Sequence, residues 1–235
     1  MTLGDPATHP GVLVVFAKDP QPGFVKTRMT PALSPELAAS FYREMLADVL
    51  EESSRACAAL GLLGVLAVTP ATAMGRLAVS APKCFKLVAQ AGSDLGSRMA
   101  HEVASALAMG MSRVLLRGSD SPALGLRDLE ELVIALDKAD LAVSPDLDGG
   151  YSAIGLRRPA REIFDHPMST TDVLRDTLAR AKSAGLSTCT TEGSFDLDTL
   201  EDLRHLARVR DSLPKERCPR TLAFADEHGL WTIAS

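Results

Sequence analysis

The chain has 235 residues, 46% of them hydrophobic, with 17 Gly and 14 Pro, which excludes a disordered, collagenous or low-complexity chain and leaves enough apolar material for a sizeable core. Its 25 basic and 30 acidic residues give a net charge of −5, so the broad electrostatic footprint of a nucleic-acid binder is missing. The four cysteines form no C-x-x-C pair, and the longest apolar run, residues 56–68, is divided by Gly61 and falls short of the roughly 20 residues of a membrane-spanning helix.

No Lys or Arg precedes Lys18, and the apolar run 11–17 is too short and too promptly charged for a signal peptide, so a cytoplasmic protein is expected. That run, GVLVVFA, is continuously apolar and β-branched, the pattern of a strand covered on both faces. From Ser34-Pro35 the period becomes helical. Leu37, Phe41, Met45, Val49 and Leu60 follow a Ser cap with Pro in the first turn, and Gly61 closes the helix. A second strand over 62–68 ends at Thr69-Pro70, and 71–84 reads as irregular chain or a short helix. A third strand, 85–89, precedes a stripe of Leu95, Met99, Val103 and Leu107 that stops at Gly110.

Strand 113–117 then runs into the turn Gly118-Ser-Asp-Ser-Pro122. A helix bearing Leu126, Leu129, Val133 and Leu136 leads to a strand at 141–143. About seven residues separate that strand from the next, 151–156, too few for a parallel crossover, so a mixed sheet is expected. Ser169-Thr-Thr-Asp172 reads as a capped start for a helix carrying Leu174 and Leu178 to Gly185, and 186–191 as the last strand. Asp198-Thr-Leu-Glu201 fits a capping-box-like start for a helix with Leu203, Leu206 and Val209. Leu222, Phe224 and Trp231 suit a C-terminal helix. This alternation predicts one three-layer α/β domain over 1–235, with 211–235 as a C-terminal appendage packed on it.

Ligands of open α/β sheets collect outside the carboxyl ends of the strands, which singles out four loops. The first, Lys18-Asp-Pro-Gln-Pro-Gly-Phe-Val-Lys26-Thr-Arg28, sets three cations within eleven residues of an acidic chain, as a phosphate grip or as a solvated loop. In the second, Asp120 is placed either to hold a hard divalent cation against phosphate oxygens or to close an Asx-type turn. In the third, Gly149 and Gly150 beside Tyr151 let a ligand approach the backbone. Asp148 there can accept from hydroxyls or act as a base, while an Asp-Gly hairpin turn accounts for the same residues without a ligand. In the fourth, Asp198 reads as a helix cap whose second oxygen stays free for a metal. Neither a P-loop nor a G-x-G-x-x-G fingerprint occurs.

Together with Asp94-Leu-Gly-Ser-Arg98, Asp148-Gly-Gly-Tyr-Ser-Ala-Ile-Gly155 and Asp196-Leu-Asp-Thr-Leu-Glu-Asp-Leu203, these motifs resemble a bacterial glycosyltransferase-A-like family, the radical-SAM/selenodomain-associated or arsenosugar-biosynthesis glycosyltransferases. That family is similar to 2-phospho-L-lactate guanylyltransferase and, more distantly, to other nucleotidyltransferases. The resemblance implies a three-layer αβα nucleotide-diphospho-sugar transferase (GT-A-like) fold with a mixed, mostly parallel sheet, and Mg²⁺ or Mn²⁺ as cofactor. It places Lys18, Lys26 and Arg28 on the nucleotide phosphates, Asp120 on the metal and Asp198 as the second metal-side acid; the residues themselves put Asp148, Gly149, Gly150 and Tyr151 beside the substrate. Glycosyltransferases of this fold often carry D-x-D. Here Gly118-Ser-Asp120 stands in its place, leaving the second ligand to Asp196, Asp198 or water.

The expected activity is metal-dependent transfer from an activated nucleotide, with Asp120 and Asp148 as catalytic residues. Glycosyl transfer from a nucleotide-diphospho-sugar to a small-molecule acceptor leads. Nucleotidyl transfer with release of pyrophosphate is the alternative, and a non-catalytic nucleotide-binding protein the third reading. The expected partners are the nucleotide or nucleotide-sugar and the acceptor, with no nucleic acid, no membrane span, and room for a homodimer.

Overall fold

A computed structural model describes residues 9–30 and 32–233, so the first eight and last two residues of the expected 1–235 domain lie outside the described ones. Strands β1 (Gly11–Lys18), β2 (Leu62–Thr69), β3 (Phe85–Ala89), β4 (Arg113–Gly118), β5 (Leu141–Pro145), β6 (Tyr151–Leu156) and β7 (Thr188–Thr190) form one sheet in the order β3-β2-β1-β4-β6-β5-β7. β6 runs antiparallel to both neighbours and the other pairings are parallel, as the short β5–β6 connection requires. β1 has partners on both sides, which is why its residues 12–15 are at most 1% exposed.

The strand period of two divides that core into layers. Val12 and Val14 face α3 (Leu95–Ala108) and α5 (Val173–Ser183) through Val103 and Ala181, whereas Leu13 and Val15 face α1 (Pro35–Leu60) and α4 (Leu126–Leu136) through Val49, Ala56 and Leu132. The caps follow the sequence. Ser34 Oγ accepts from Leu37 N–H at 3.2 Å, Gly61 ends α1 at φ 64°, and Asp94 opens α3 by accepting from Ser97 N–H at 2.7 Å. The stretch left between irregular chain and helix contains α2 (Met74–Ser80).

At the C-terminus, α6 (Leu200–Val209), α7 (Pro219–Glu227) and α8 (Leu230–Ile233) lie against α1 and the loop before it. Leu206, Ala225 and Leu230 share a cluster with Met29, Phe41 and Met45. The start of α7 is held by a side chain from α1. Asp48 accepts from Arg220 N–H at 3.1 Å and Thr221 N–H at 2.7 Å, which supplies the cap that Cys218 does not. Among the described residues no helix is long and apolar enough to cross a membrane.

β5 runs two residues beyond its expected end, and three departures near the site are larger in consequence. The last strand is confined to 188–190. α5 begins at Val173, and residues 168–171 are irregular chain instead of its capped first turn. The cap of α6 is Thr199, not Asp198: Thr199 Oγ1 and Asp202 form the capping box, which leaves the Asp198 carboxylate to other partners.

Candidate active site

The carboxyl ends of β1 and β4 and the start of β6 open onto a cavity of about 500 Å³. Its walls are Lys18 and Arg28 from the loop after β1, Asp120 after β4, Asp148 through Ile154 on the β5–β6 side except Gly149, residues 168–171, and Asp196 and Asp198. Tyr42, fully buried on α1, ties two strand ends together. Lys18 N–H donates to its Oη at 3.0 Å, and the same oxygen lies 2.7 Å from Ser119 Oγ. The two loops that carry the cations and Asp120 therefore start from a fixed separation.

In the first loop the three cations have different fates. Lys26 has a left-handed backbone, φ 50°, and its side chain turns inward to 1% exposure. There Nζ donates to Asp120 Oδ1 and, at 2.6 Å, to Asp198 Oδ1. Burial alone lowers the affinity of this amine for its proton, but the two carboxylates outweigh it and raise the ammonium above the ordinary lysine range. Lys18 and Arg28 are exposed at the cavity wall, and among the described residues neither side chain forms an ion pair.

Asp198 reaches Asp120 because two loops are stitched together. Leu197 N–H donates to the Asp120 carbonyl at 2.8 Å, and Ser121 Oγ donates to Asp196 Oδ1. Burial raises Asp198, yet Lys26, then Arg28 and Lys18, outweigh it and hold its carboxyl below the ordinary aspartate value. Asp196 goes the other way. Burial, then the charges of Asp146 and Asp120, push it well above that value, so these two acids, two positions apart, differ in their readiness to carry charge.

The opposite wall is built on glycine. The β5–β6 connection is the expected tight turn, closed by Asp146 N–H to the Gly150 carbonyl at 3.1 Å and by Gly150 N–H to Asp148 Oδ1 at 2.8 Å. Asp148 nevertheless borders the cavity, so the turn and a ligand contact are compatible at one residue. Burial, with Asp146, Asp198 and Asp202 nearby, raises its carboxyl above the ordinary value although Gly150 N–H lowers it. Gly149 has φ 90°, and a Cβ there would collide with the Thr171 carbonyl. Leu174 N–H to the Gly149 carbonyl at 2.9 Å completes the clamp that holds residues 168–171 as a wall.

The cavity thus brings together the candidate residues Lys18, Arg28, Asp120, Asp148, Gly150, Tyr151, Asp196 and Asp198. Lys26 sits beneath its floor, and Gly149 acts through the wall it supports. Sequence reasoning passed over Tyr42, Met99 and Thr171, whose only signal was membership of a helical stripe or a polar run. It also passed over Arg117, a charged residue inside a β-strand pattern. Arg117 is 2% exposed and donates to the Ser121 carbonyl at 2.9 Å and to Ser53 Oγ at 3.1 Å; burial pulls its guanidinium down to about 10.

Asp120 and Asp198 converge on one point, and Lys26 engages Oδ1 of each, so a second oxygen remains on both. That donor set suits Mg²⁺ or Mn²⁺, which need only one or two protein carboxylates when substrate phosphates complete the shell. It is not a self-sufficient cage. Among the described residues, no group of three or more His, Cys, Asp or Glu is placed to hold a metal.

A family described as "Uncharacterized protein conserved in bacteria (DUF2064)" matches residues 54–170. No curated protein matches the chain by sequence. Among solved structures, a Desulfovibrio desulfuricans G20 protein provisionally described as a nucleotide-diphospho-sugar transferase is 28% identical, covering 95% of this chain and 97% of that one with a TM-score of 0.86. A cytidylyltransferase from Leptospira borgpetersenii serovar Hardjo-bovis is 11% identical, covering 96% and 97% with a TM-score of 0.56. The 4-diphosphocytidyl-2C-methyl-D-erythritol synthase of Anaerococcus prevotii is 10% identical, covering 86% and 99% with a TM-score of 0.54. The fold is therefore the three-layer αβα, GT-A-like fold with a mixed, mostly parallel sheet. The same fold is shared with solved structures of nucleotidyltransferases.

Proposed function

We propose that this chain, a member of the enzymatic GT-A-like transferase superfamily, is a metal-dependent nucleotidyltransferase: an acceptor oxygen attacks the α-phosphorus of a nucleoside triphosphate, and the bond to the leaving pyrophosphate breaks. The observation that carries this reading is the Asp120–Lys26–Asp198 cluster beside the exposed Lys18 and Arg28. Cations and a two-carboxylate seat meet at the strand ends, where charge on a triphosphate develops. The likeness to cytidylyltransferases, and Gly118-Ser-Asp120 in place of D-x-D at the turn after β4, support nucleotidyl over glycosyl transfer. Glycosyl transfer from a nucleotide-diphospho-sugar remains the second reading, favoured by the closer likeness in shape to the Desulfovibrio protein.

In this mechanism Lys18 and Arg28 bind phosphate oxygens, Arg28 through two parallel donors and Lys18 as a point charge. Asp120 and Asp198 are the residues that would hold Mg²⁺ or Mn²⁺, which when bound offsets charge on the reacting phosphate. Asp148, raised above the ordinary carboxylate range, takes the proton of the acceptor oxygen as it attacks. Gly150, Tyr151 and the wall at 168–171 exclude water and orient the acceptor, a small molecule. Asp196, accepting from Ser121, braces the Asp120 loop. We read the chain as one domain working in the cytoplasm, with residues 211–235 as support for α1.

A thermal-shift panel tests the reading. At a hundredfold excess over Kd, a triphosphate with Mg²⁺ should raise Tm by about 5 to 10 °C, and omitting Mg²⁺ should remove most of that. Larger shifts with nucleotide-sugars than with triphosphates would replace nucleotidyl by glycosyl transfer. Equal shifts with and without Mg²⁺ would favour a non-catalytic nucleotide binder.

A further inference from the structure

The cation already lying between Asp120 and Asp198 belongs to the protein. Lys26 Nζ is within hydrogen-bond distance of both carboxylates, and its side chain is 1% exposed while theirs are 33% and 40% exposed. The chain holds this arrangement at some strain, since a lysine takes a left-handed backbone that L-residues avoid, fixed by Met29 N–H donating to the Lys26 carbonyl at 3.0 Å. Two aspartates facing one point repel unless a cation separates them, so an ammonium there keeps the pair together without a ligand. The same placement opposes a divalent ion. With Lys26 in position the three side chains carry a net charge of −1, and adding a free divalent cation would make the site positive. Phosphates reverse the balance: they bring negative charge for the metal and offer the ammonium new acceptors, for which its flexible stem and three donors are suited.

We propose that Lys26 is the resident counter-cation of the metal seat, occupying it in the nucleotide-free protein and yielding it only when a divalent ion arrives with nucleotide phosphates, to which the ammonium transfers. This rests on the assignment of Asp120 and Asp198 as the metal-holding pair. It assigns the site an order, in which free metal binds weakly and the metal–nucleotide complex binds as a unit.

Electron paramagnetic resonance of Mn²⁺, with no nucleotide present, tests the seat directly. The wild type should leave most Mn²⁺ free, and Lys26→Gln should bind it at least tenfold more tightly. Unchanged or weaker binding by K26Q overturns the proposal, because a lysine that merely holds two loops together would lower Tm without releasing a metal site. Should K26Q fail to fold, the wild-type titration decides, since tight binding of free Mn²⁺ also overturns it. A second arm follows the ¹⁵N-labelled ammonium of Lys26 by NMR on adding Mg²⁺ alone and then Mg²⁺ with ATP, GTP, CTP or UTP. The signal should stay in place with Mg²⁺ alone and move with the triphosphate that binds. Movement with Mg²⁺ alone, or none with a triphosphate whose binding the thermal shift confirms, contradicts the exchange. If no triphosphate binds, the nucleotidyl reading fails by itself, and the Mn²⁺ comparison still judges the seat.

Discussion

Two cavities of nearly equal volume, about 500 and 520 Å³, border the loop after β1, and only one has the makings of a reaction centre. The second is lined by residues 19–22, by Arg43, Leu46 and Leu50 of α1, by Arg76 and Leu77 of α2, and by Arg220. It too is rich in arginine, but two of those arginines face carboxylates: Arg76 pairs with Asp19, and Arg220 lies 3.9 Å from Glu44 and 4.0 Å from Glu51. In the first cavity Lys18 and Arg28 have no such partners among the described residues, and carboxylates arrive from three separate loops. Size therefore does not distinguish the two. Charge left uncompensated at the strand ends does.

The largest expected effect is at Asp148. If it takes the acceptor's proton, Asp148→Asn should reduce nucleotide turnover by about 10²- to 10⁴-fold. The pH profile gives the sign. A carboxyl whose proton affinity is raised by burial and by its acidic neighbours becomes a base only at higher pH, so the acidic limb of kcat should lie above the ordinary aspartate value of about 3.9 and disappear in the variant. A limb at or below that value removes Asp148 from the role. Asp120→Asn comes next. The Mg²⁺-dependent part of the triphosphate thermal shift should vanish and turnover fall by roughly 10²- to 10³-fold. Tm without ligand should drop only slightly, because Lys26 keeps Asp198 as a partner.

These residues were legible in unequal degree. The turn residues Gly118–Pro122 and the pair Gly149-Gly150 announced themselves because tight turns at strand ends need particular side chains, and β1 and α1 were readable from period and caps. The site's internal wiring was not. Asp198 and Thr199 are both good N-cap residues, and the choice between them is made by Lys26, 172 positions away, which engages the aspartate and leaves the threonine to cap α6. Nor does local sequence tell Lys26 from Arg28, two residues on, although one is buried between carboxylates and the other exposed. Period and propensity are properties of neighbours, whereas these outcomes depend on contacts between distant loops.

Arg28→Ala sharpens the contrast more modestly. Losing a charge-assisted bond to phosphate costs about 1.5 to 3 kcal/mol, roughly a 10- to 150-fold rise in the Kd for triphosphate measured by calorimetry, with unfolding unaffected. Unchanged affinity would mean that the exposed guanidinium touches only solvent. Gly149→Ala probes the wall. A Cβ that meets the Thr171 carbonyl at a positive φ should destabilise the fold by about 1 to 3 kcal/mol, lowering Tm by several degrees. If residues 168–171 orient the acceptor, its KM should rise in the surviving protein while the Kd for nucleotide stays close to that of the wild type.

The smallest effect belongs to the other cavity. Arg43 is exposed on α1 and donates to Ser40 Oγ at 3.5 Å, a contact at the limit of usefulness. Surface substitutions of this kind change stability by about 0.5 kcal/mol or less. If nucleotide binds only at the strand ends, Arg43→Ala should also shift the Kd for triphosphate by less than about twofold by calorimetry. The residue is a fair control for Arg28, since both are exposed guanidinium groups beside cavities of similar volume near the same loop. What separates them is that Arg28 is near enough to Asp198 to lower its proton affinity, and so stands within the field of the metal-side acid. A tenfold loss of nucleotide affinity in Arg43→Ala would show that nucleotide reaches the second cavity or that the two communicate through residues 19–22. In either case uncompensated charge would no longer single out the strand-end cavity, because Arg43, which pairs with no carboxylate among the described residues, would count as a nucleotide contact too.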